Sequence, residues 1–126
     1  MAKPKVLIVD DAEVVHERVR ECLGSQIELY TAVTSVGAHV HLQEHPDFAL
    51  IALDGVFPRR PNGPDLLEGP WLLERIRRQH KFSGTVLATS SSDNTRRDML
   101  RAGCNAECRK DRVSDAIAEL LHLKPL

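Results

Sequence analysis

The sequence predicts an α/β protein in which helices cover both faces of one parallel β-sheet. Short apolar runs alternate with amphipathic stretches along the chain and give five strand–helix units in a row. Such alternation is typical of parallel sheets, because each parallel strand needs a long crossover to reach its neighbour. Right-handed crossovers then leave few topologies, all of them doubly wound.

Five segments are predicted as strands. The continuous apolar runs 6–9 and 48–53 are typical of strands buried on both faces. Segment 27–31 alternates like a half-buried strand, 85–89 is the fourth strand, and 106–109 is a short polar fifth.

Two helices are predicted in the first half of the chain. The first covers 13–23, with Gly24 as its stop signal. The second covers 35–44 and is marked only by Val36 and Val40, which are one turn apart.

Three more helices are predicted in the second half. One opens at Gly69, with Pro70 as its first helical residue. The next runs from a cap at 91–93 to 102 and ends at Gly103. The last covers 113–121.

Length and charge restrict the class of protein. The chain has 126 residues, enough for one domain spanning 1–126, and 17 basic against 18 acidic residues give a net charge of −1. A bulk electrostatic attraction to nucleic acid or to an anionic membrane is thereby excluded. No apolar run approaches the roughly 20 residues of a membrane span. Three cysteines form no disulfide framework, so we expect a cytoplasmic protein.

One segment differs from the rest in composition. Residues 55–70 hold four of the seven prolines and three of the seven glycines, which predicts a long loop over 55–69. Such a loop is either a partner-recognition element or lid, or a tolerated surface insertion. Leu66 and Leu67 would pin it to the domain or form one helical turn.

Polar residues follow the predicted strands at one edge of the sheet. Asp10 and Asp11 end the first strand, and Asp54 ends the third. Ligands of open α/β sheets bind at the carboxyl ends of strands, and three carboxylates that meet there need a cation. Because the ligands are all oxygen, the cation expected is Mg²⁺.

Two further strand ends carry groups suited to phosphate. Thr89 brings a hydroxyl and Lys110 a positive charge, and both can contact phosphoryl oxygens. An aspartate can itself accept a phosphoryl group covalently.

The sequence resembles the receiver domains of two-component response regulators over nearly its whole length. The stretches that carry the likeness are 6–11, 46–54 with Pro58, 85–90, and 102–110. The resemblance implies a flavodoxin-like (βα)5 fold with strand order 2-1-3-4-5.

The resemblance also implies a function. Asp54 would be the phosphoacceptor, and a histidine kinase or a histidine phosphotransfer protein the donor. Asp10, Asp11, Asp54 and the backbone carbonyl of Val56 would hold Mg²⁺. Lys110 would pair with the phosphoryl group, and Thr89 would move toward it. The phosphorylated domain would then signal to an output protein, catalysing only its own phosphorylation and dephosphorylation. From the net charge and the lack of a spanning run, neither a membrane nor nucleic acid is expected as a target.

The sequence departs from the family pattern at three places. Glu107 stands where receivers carry an aromatic switch residue, so an aromatic rotamer change is excluded there. Asp111 stands where a proline often follows the lysine, and we therefore predict a trans peptide bond. The 55–69 loop is longer than is usual.

Several other residues are interpreted as structural. His41 and His45 have metal-ligand spacing but lack acidic or cysteine partners, so a solvated face is expected. Cys108 is predicted as a buried strand residue and Cys104 as a loop thiol. The basic residues of 75–81 and 96–101 are interpreted as solvated helix faces or as docking sites for an acidic partner.

Two other classes of function remain open. A receiver-like domain could act as a binding or scaffold module without phosphorylation, which the long loop, Glu107 and Asp111 favour. A small phosphatase working through an aspartyl-phosphate is less well supported, because the chain has no glycine-rich phosphate loop.

Overall fold

The computed structural model describes residues 2–124, so that residue 1 and residues 125–126 of the predicted 1–126 domain lie outside the described part. In chain order its elements are β1 (Lys5–Val9), α1 (Glu13–Leu23), β2 (Glu28–Ala32), α2 (Ser35–Glu44), β3 (Leu50–Asp54), β4 (Phe57–Pro58), β5 (Asp65–Leu66), α3 (Glu68–Arg78), β6 (Thr85–Thr89), α4 (Asp93–Ala102), β7 (Ala106–Cys108) and α5 (Val113–Leu121).

Five of these strands form one sheet in the order β2-β1-β3-β6-β7. Every neighbouring pair in this sheet is parallel. The short strands β4 and β5 pair with each other, so the order is the predicted 2-1-3-4-5 once they are set aside. The flavodoxin-like fold class is therefore confirmed.

Alternate residues of the central strands face two separate cores. Leu7 and Val9 of β1 pack in the core under α2, α3 and α4. Val6 and Ile8 pack in the core under α1 and α5. Each strand is buried on both faces because of this alternation, which explains its continuous apolar sequence.

The ends of α4 follow the sequence signals. The Ser92 hydroxyl accepts a hydrogen bond from the Thr95 amide, and the helix ends at Gly103, whose φ is 120°. At this φ a residue with a Cβ would be strained.

The predicted bounds of α2 are correct, but the two valines that mark the helix in the sequence lie on its exposed side. Val36 and Val40 are 49% and 47% exposed, whereas Ala38 and Leu42 are buried. Residues 38 and 42 are two positions away from this valine pair, which is about half a turn. The small Ala38 side chain faces the sheet, so the valines face solvent. Leu120 of α5 is likewise 37% exposed.

The proline of α3 is not its first helical residue. The helix begins at Glu68, which makes Pro70 the third residue. Amide groups in the first turn of a helix have no intrahelical acceptor, so a proline, which lacks the amide hydrogen, still fits there.

The 55–69 loop contains a hairpin made of β4 and β5. Phe57 is completely buried and attaches it to the core. Leu66 and Leu67 are 39% and 55% exposed, so the expectation that they pin the loop or form a helical turn is wrong. A second attachment involves Glu68, which accepts hydrogen bonds from Ser35 Oγ at 2.6 Å and Arg59 Nε at 3.0 Å.

Every peptide bond in residues 2–124 is trans, as predicted for the bond between Lys110 and Asp111. A 3₁₀ turn, Lys110–Arg112, leads directly into α5. Among the described helices, none has the length and apolar character that a membrane crossing requires.

Candidate functional site

Three carboxylates meet at the carboxyl ends of β1 and β3. Asp10, Asp11 and Asp54 each offer an oxygen, and these atoms lie within 4.8 Å of one another. The strand order brings them together, because β1 and β3 are direct neighbours. The convergence predicted from the sequence is therefore present.

The two deepest carboxylates are almost fully enclosed. Asp10 is 0% and Asp54 2% exposed, whereas Asp11 lies at the surface. The Ala12 amide donates to Asp10 Oδ1 at 2.8 Å, but the buried Asp10 Oδ2 has no hydrogen-bond partner in residues 2–124. A buried carboxylate oxygen without a donor fits a cation ligand. With two more carboxylates beside it, the site suits a hard divalent ion such as Mg²⁺.

Lys110 provides the positive charge on the protein side. Its Nζ lies 3.1 Å from Asp54 Oδ2 and 3.4 Å from Asp10 Oδ1. Lys110 follows β7, and β6 lies between β7 and the strand that ends in Asp54. Lys110 begins the 3₁₀ turn, and its side chain reaches back across the end of β6.

Burial and neighbouring negative charges raise the pKa of two carboxyl groups of the cluster, Asp54 and Asp11. Burial raises the pKa of Asp54 to about 6, and the charge of Asp10 adds to the rise. Desolvation raises the pKa of Asp11 as well, followed by the charges of Asp65 and Asp10. Partial burial alone would lower the pKa of Lys110, but the negative charges of Asp54 and Asp10 reverse this and raise it.

Thr89 lies beside the phosphoacceptor candidate. It is the parallel cross-strand partner of Asp54 and is 0% exposed. Its Oγ1 is buried and has no hydrogen-bond partner among the described residues. This hydroxyl is therefore free to donate to an oxygen placed on Asp54.

The backbone around Asp54 is tightly packed. The Gly55 amide donates to Asp54 Oδ1 at 2.7 Å, and the Gly69 amide donates to the Gly55 carbonyl at 3.0 Å. A Cβ on Gly69 would lie 2.5 Å from the Asp54 carbonyl oxygen. Glycine at 69 thus allows the start of α3 to approach the site. Val56, whose carbonyl is the predicted fourth ligand, lies in the same turn with an exposed side chain.

Two residues near the site were missed from the sequence. Asp65 of the hairpin acts on the pKa of Asp11 more strongly than Asp10 does; no spacing signal indicated it. Arg96, assigned to a solvated basic face, is instead 7% exposed and bonded to Glu107. Arg96 lies on α4 and Glu107 on β7, so no short-range sequence pattern indicated that the two are bonded.

Four histidines in or next to α2 and α3 make contacts within the domain. His41 Nε2 donates to the Thr31 carbonyl, and His45 packs against the Tyr30 ring. His39 Nδ1 and His80 Nε2 are hydrogen-bonded at 2.7 Å. The three histidines of α2 and its C-cap are thus half-buried, which corrects the expectation of a fully solvated face.

The two cysteines near β7 exchange their expected environments. Cys104, predicted as a loop thiol, is buried, and Cys108 of β7 is half-buried. Burial raises the pKa of Cys104 to about 12 and that of Cys108 to about 11. Thiols with such pKa values are poor nucleophiles at neutral pH.

Solved structures with the same fold are receiver domains. The receiver domain of NtrX from Brucella abortus has a TM-score of 0.71 and 24% identity over 93% of this chain and 98% of that one. A two-component response regulator from Clostridium difficile has a TM-score of 0.75 and 16% identity over 95% and 97%. The BeF3-activated DrrB receiver domain has a TM-score of 0.69 and 17% identity over 95% and 98%.

These comparisons establish the fold of the chain as that of response-regulator receiver domains. No family model matches the sequence, and no curated protein does so either.

Proposed function

We propose that this protein is a response-regulator receiver whose Asp54 accepts a phosphoryl group from a phosphohistidine. The observation that carries the proposal is the Lys110 ammonium, which contacts both buried carboxylates of a three-aspartate cluster. A lone acidic cluster would bind a cation only. A lysine beside it adds a site for the negative oxygens of a phosphoryl group.

In the proposed reaction an Asp54 oxygen attacks phosphorus and forms a new P–O bond. The P–N bond of the phosphohistidine breaks, and the imidazole nitrogen leaves with the electron pair. The product is an aspartyl phosphate. Lys110 would stabilise the negative charge on the equatorial oxygens, since its Nζ is already 3.1 Å from Asp54 Oδ2.

The residues that would hold Mg²⁺ are Asp10, Asp11, Asp54 and the Val56 carbonyl. When bound, Mg²⁺ neutralises charge on the transferring group. Asp10 Oδ2 supports this assignment, because it is buried without a donor in the described part of the chain.

Thr89 is proposed as the residue that detects the phosphoryl group. Its hydroxyl has no hydrogen-bond partner in the described part of the chain and is next to Asp54, so an added phosphoryl oxygen offers it an acceptor. Movement of Thr89 would shift the domain between two surface states that an output protein distinguishes. We further propose that the phosphodonor is a cytoplasmic histidine kinase or phosphotransfer protein, and that catalysis is confined to the domain's own phosphoryl group.

The proposal is tested by incubating the protein with acetyl phosphate and Mg²⁺ and measuring intact mass. Wild type is expected to gain one phosphoryl group, and Asp54→Asn none. Asp47→Asn is the matched control, because Asp47 is an exposed aspartate paired with Lys5 away from the cluster. Equal phosphorylation of wild type and Asp54→Asn would refute Asp54 as the acceptor.

A second candidate function is binding without phosphorylation. The attached hairpin places exposed Leu66 and Leu67 on the loop that follows Asp54, where they could contact a partner directly. If a partner is found, its affinity for phosphorylated and unphosphorylated protein decides between the two. Equal affinities favour the binding module.

A further inference from the structure

Arg96 of α4 is an enclosed arginine at the turn that follows β6. Its guanidinium donates to the Ser90 carbonyl at 2.5 Å and to Glu107 Oε1 at 3.1 Å. It also contacts Asp93 in the first turn of the same helix. Only 7% of Arg96 is exposed, so these contacts replace most of its hydration.

The Ser90 carbonyl belongs to the residue directly after Thr89. The other backbone contact of Ser90, from its amide to the Cys108 carbonyl, is long at 3.4 Å. The Ser90 hydroxyl accepts from the Ser92 amide within the same turn. Arg96 is therefore the strongest link between this turn and the helix and strand that flank it, because charge-assisted hydrogen bonds are the stronger class.

Glu107 anchors the arginine from the neighbouring strand. Its side chain is 41% exposed, and it accepts from Arg96 Nε. A guanidinium can bond several acceptors at fixed angles, which an ammonium cannot do. The contacts from Glu107 through Arg96 to Ser90 thus connect an exposed carboxylate on β7 to the residue that follows Thr89.

We propose that Arg96, anchored by Glu107, is a positioning residue that holds Thr89 in its unphosphorylated place. Phosphorylation of Asp54 then works against this restraint, and the Glu107 surface reports its release. This inference rests on the proposed phosphoacceptor function.

The restraint follows from the local geometry. The Thr89 hydroxyl has no partner in the part of the chain described, so a phosphoryl oxygen on Asp54 draws it inward. The Ser90 carbonyl is one peptide bond away and moves with it. Arg96 must then follow or lose its contact at 2.5 Å. The Arg96–Glu107 ion pair thereby couples the site to the surface around Glu107, the residue that stands in the place of the usual aromatic side chain.

The coupling is reciprocal. A partner that draws Glu107 away from Arg96 weakens the restraint and so favours the phosphorylated arrangement, because linkage acts equally in both directions. A basic group on the partner has the chemistry to do this.

The test measures the affinity for beryllofluoride, a phosphoryl mimic, in saturating Mg²⁺. Glu107→Gln is the first variant, because it removes charge from a partly exposed side chain and leaves the fold intact. It is expected to bind about three- to tenfold more tightly than wild type, as weakening one charge-assisted hydrogen bond implies. Arg96→Lys, which keeps the charge and loses the fork, is expected to change affinity in the same direction.

The matched control is Glu74→Gln, which neutralises an exposed ion pair with Arg78 on α3. It is expected to bind like wild type. Amide spectra give a second readout that a merely structural role would not move. In wild type the Ser90 amide and the Arg96 Nε–H resonance are expected to shift when beryllofluoride binds.

Two results would overturn the inference separately from the function. If wild type binds beryllofluoride and both variants bind equally well or less well, the restraint does not exist. If the Arg96 resonance is unchanged on binding, the pair is not coupled to the site. Failure of wild type to bind beryllofluoride or to become phosphorylated overturns the proposed function and the inference together.

Discussion

Lys110 Nζ lies 3.1 Å from Asp54 Oδ2, although 56 residues separate the two in sequence. The Lys110 ammonium compensates the charge of Asp54, which is nearly inaccessible to water and has the carboxylate of Asp10 as a neighbour. The first prediction concerns this lysine. Lys110→Gln should slow phosphorylation by acetyl phosphate about 10²-fold, because one preorganised charge on the reacting oxygens is lost.

Single-turnover rates in saturating Mg²⁺ check this prediction. Lys81→Gln is the control, since Lys81 is exposed in the α3–β6 connection. A rate for Lys110→Gln within twofold of wild type would contradict a role in charge stabilisation.

The second prediction concerns pH and stability without Mg²⁺. The pKa of Asp54 rises from 3.8 to about 6 on folding, so the folded state binds more protons than the unfolded state between these values. The free energy of unfolding should therefore fall as pH increases from about 4 to about 6, by on the order of 2–3 kcal/mol. The free energy of unfolding of Asp54→Asn should not fall in this way, because asparagine does not titrate. This variant should therefore be more stable than wild type at pH 7.

Urea unfolding of both proteins at pH 4.5 and pH 7 measures the difference. The gap in stability between Asp54→Asn and wild type should widen at the higher pH. A constant gap would mean that Asp54 titrates normally.

The third prediction concerns the metal. Mg²⁺ at ten times its dissociation constant should stabilise the folded protein by about 1.4 kcal/mol, because it binds the assembled carboxylates and not the unfolded chain. Asp10→Asn should lose most of this effect, since Asp10 supplies the buried oxygen that has no donor within residues 2–124.

Thermal unfolding with and without Mg²⁺ checks the expectation, with Asp47→Asn as the control that keeps the full shift. An equal Mg²⁺ shift in Asp10→Asn would place the ion elsewhere.

The fourth prediction concerns Gly69. Gly69→Ala places a Cβ 2.5 Å from the Asp54 carbonyl oxygen and 2.8 Å from Gly55 Cα. It should destabilise the protein by about 1–3 kcal/mol and lower the phosphorylation rate, because the Asp54 backbone must move. Gly37→Ala in α2 is the control; its nearest contact is the Thr34 hydroxyl at 3.3 Å.

Chemical denaturation and acetyl phosphate kinetics measure the two effects on the same samples. A variant as stable and as reactive as wild type would show that α3 can withdraw without disturbing Asp54.

The sequence predicted most of the fold because its signals were local. Continuous apolar runs marked the buried strands, and caps such as Ser92 and Gly103 marked helix ends. The proximity of the candidate site residues was also predictable, because each ends or follows a strand and parallel strands end at one edge. The buried face of α2 was not, since a helix with small and apolar residues all round gives no clear periodicity. Arg96 was predicted on a solvent-exposed helix face, because its partners come from a turn and another strand and leave no local pattern.

The two ends of the inserted segment meet, because the Gly69 amide donates to the Gly55 carbonyl at 3.0 Å. Residues 56–68 therefore leave and rejoin the domain at a closed junction next to Asp54. Between the buried residues Phe57 and Glu68, the exposed part of this segment can change in length and sequence while the junction keeps Asp54 in place. The site at Asp54 and the surface that the hairpin presents can therefore change independently in evolution.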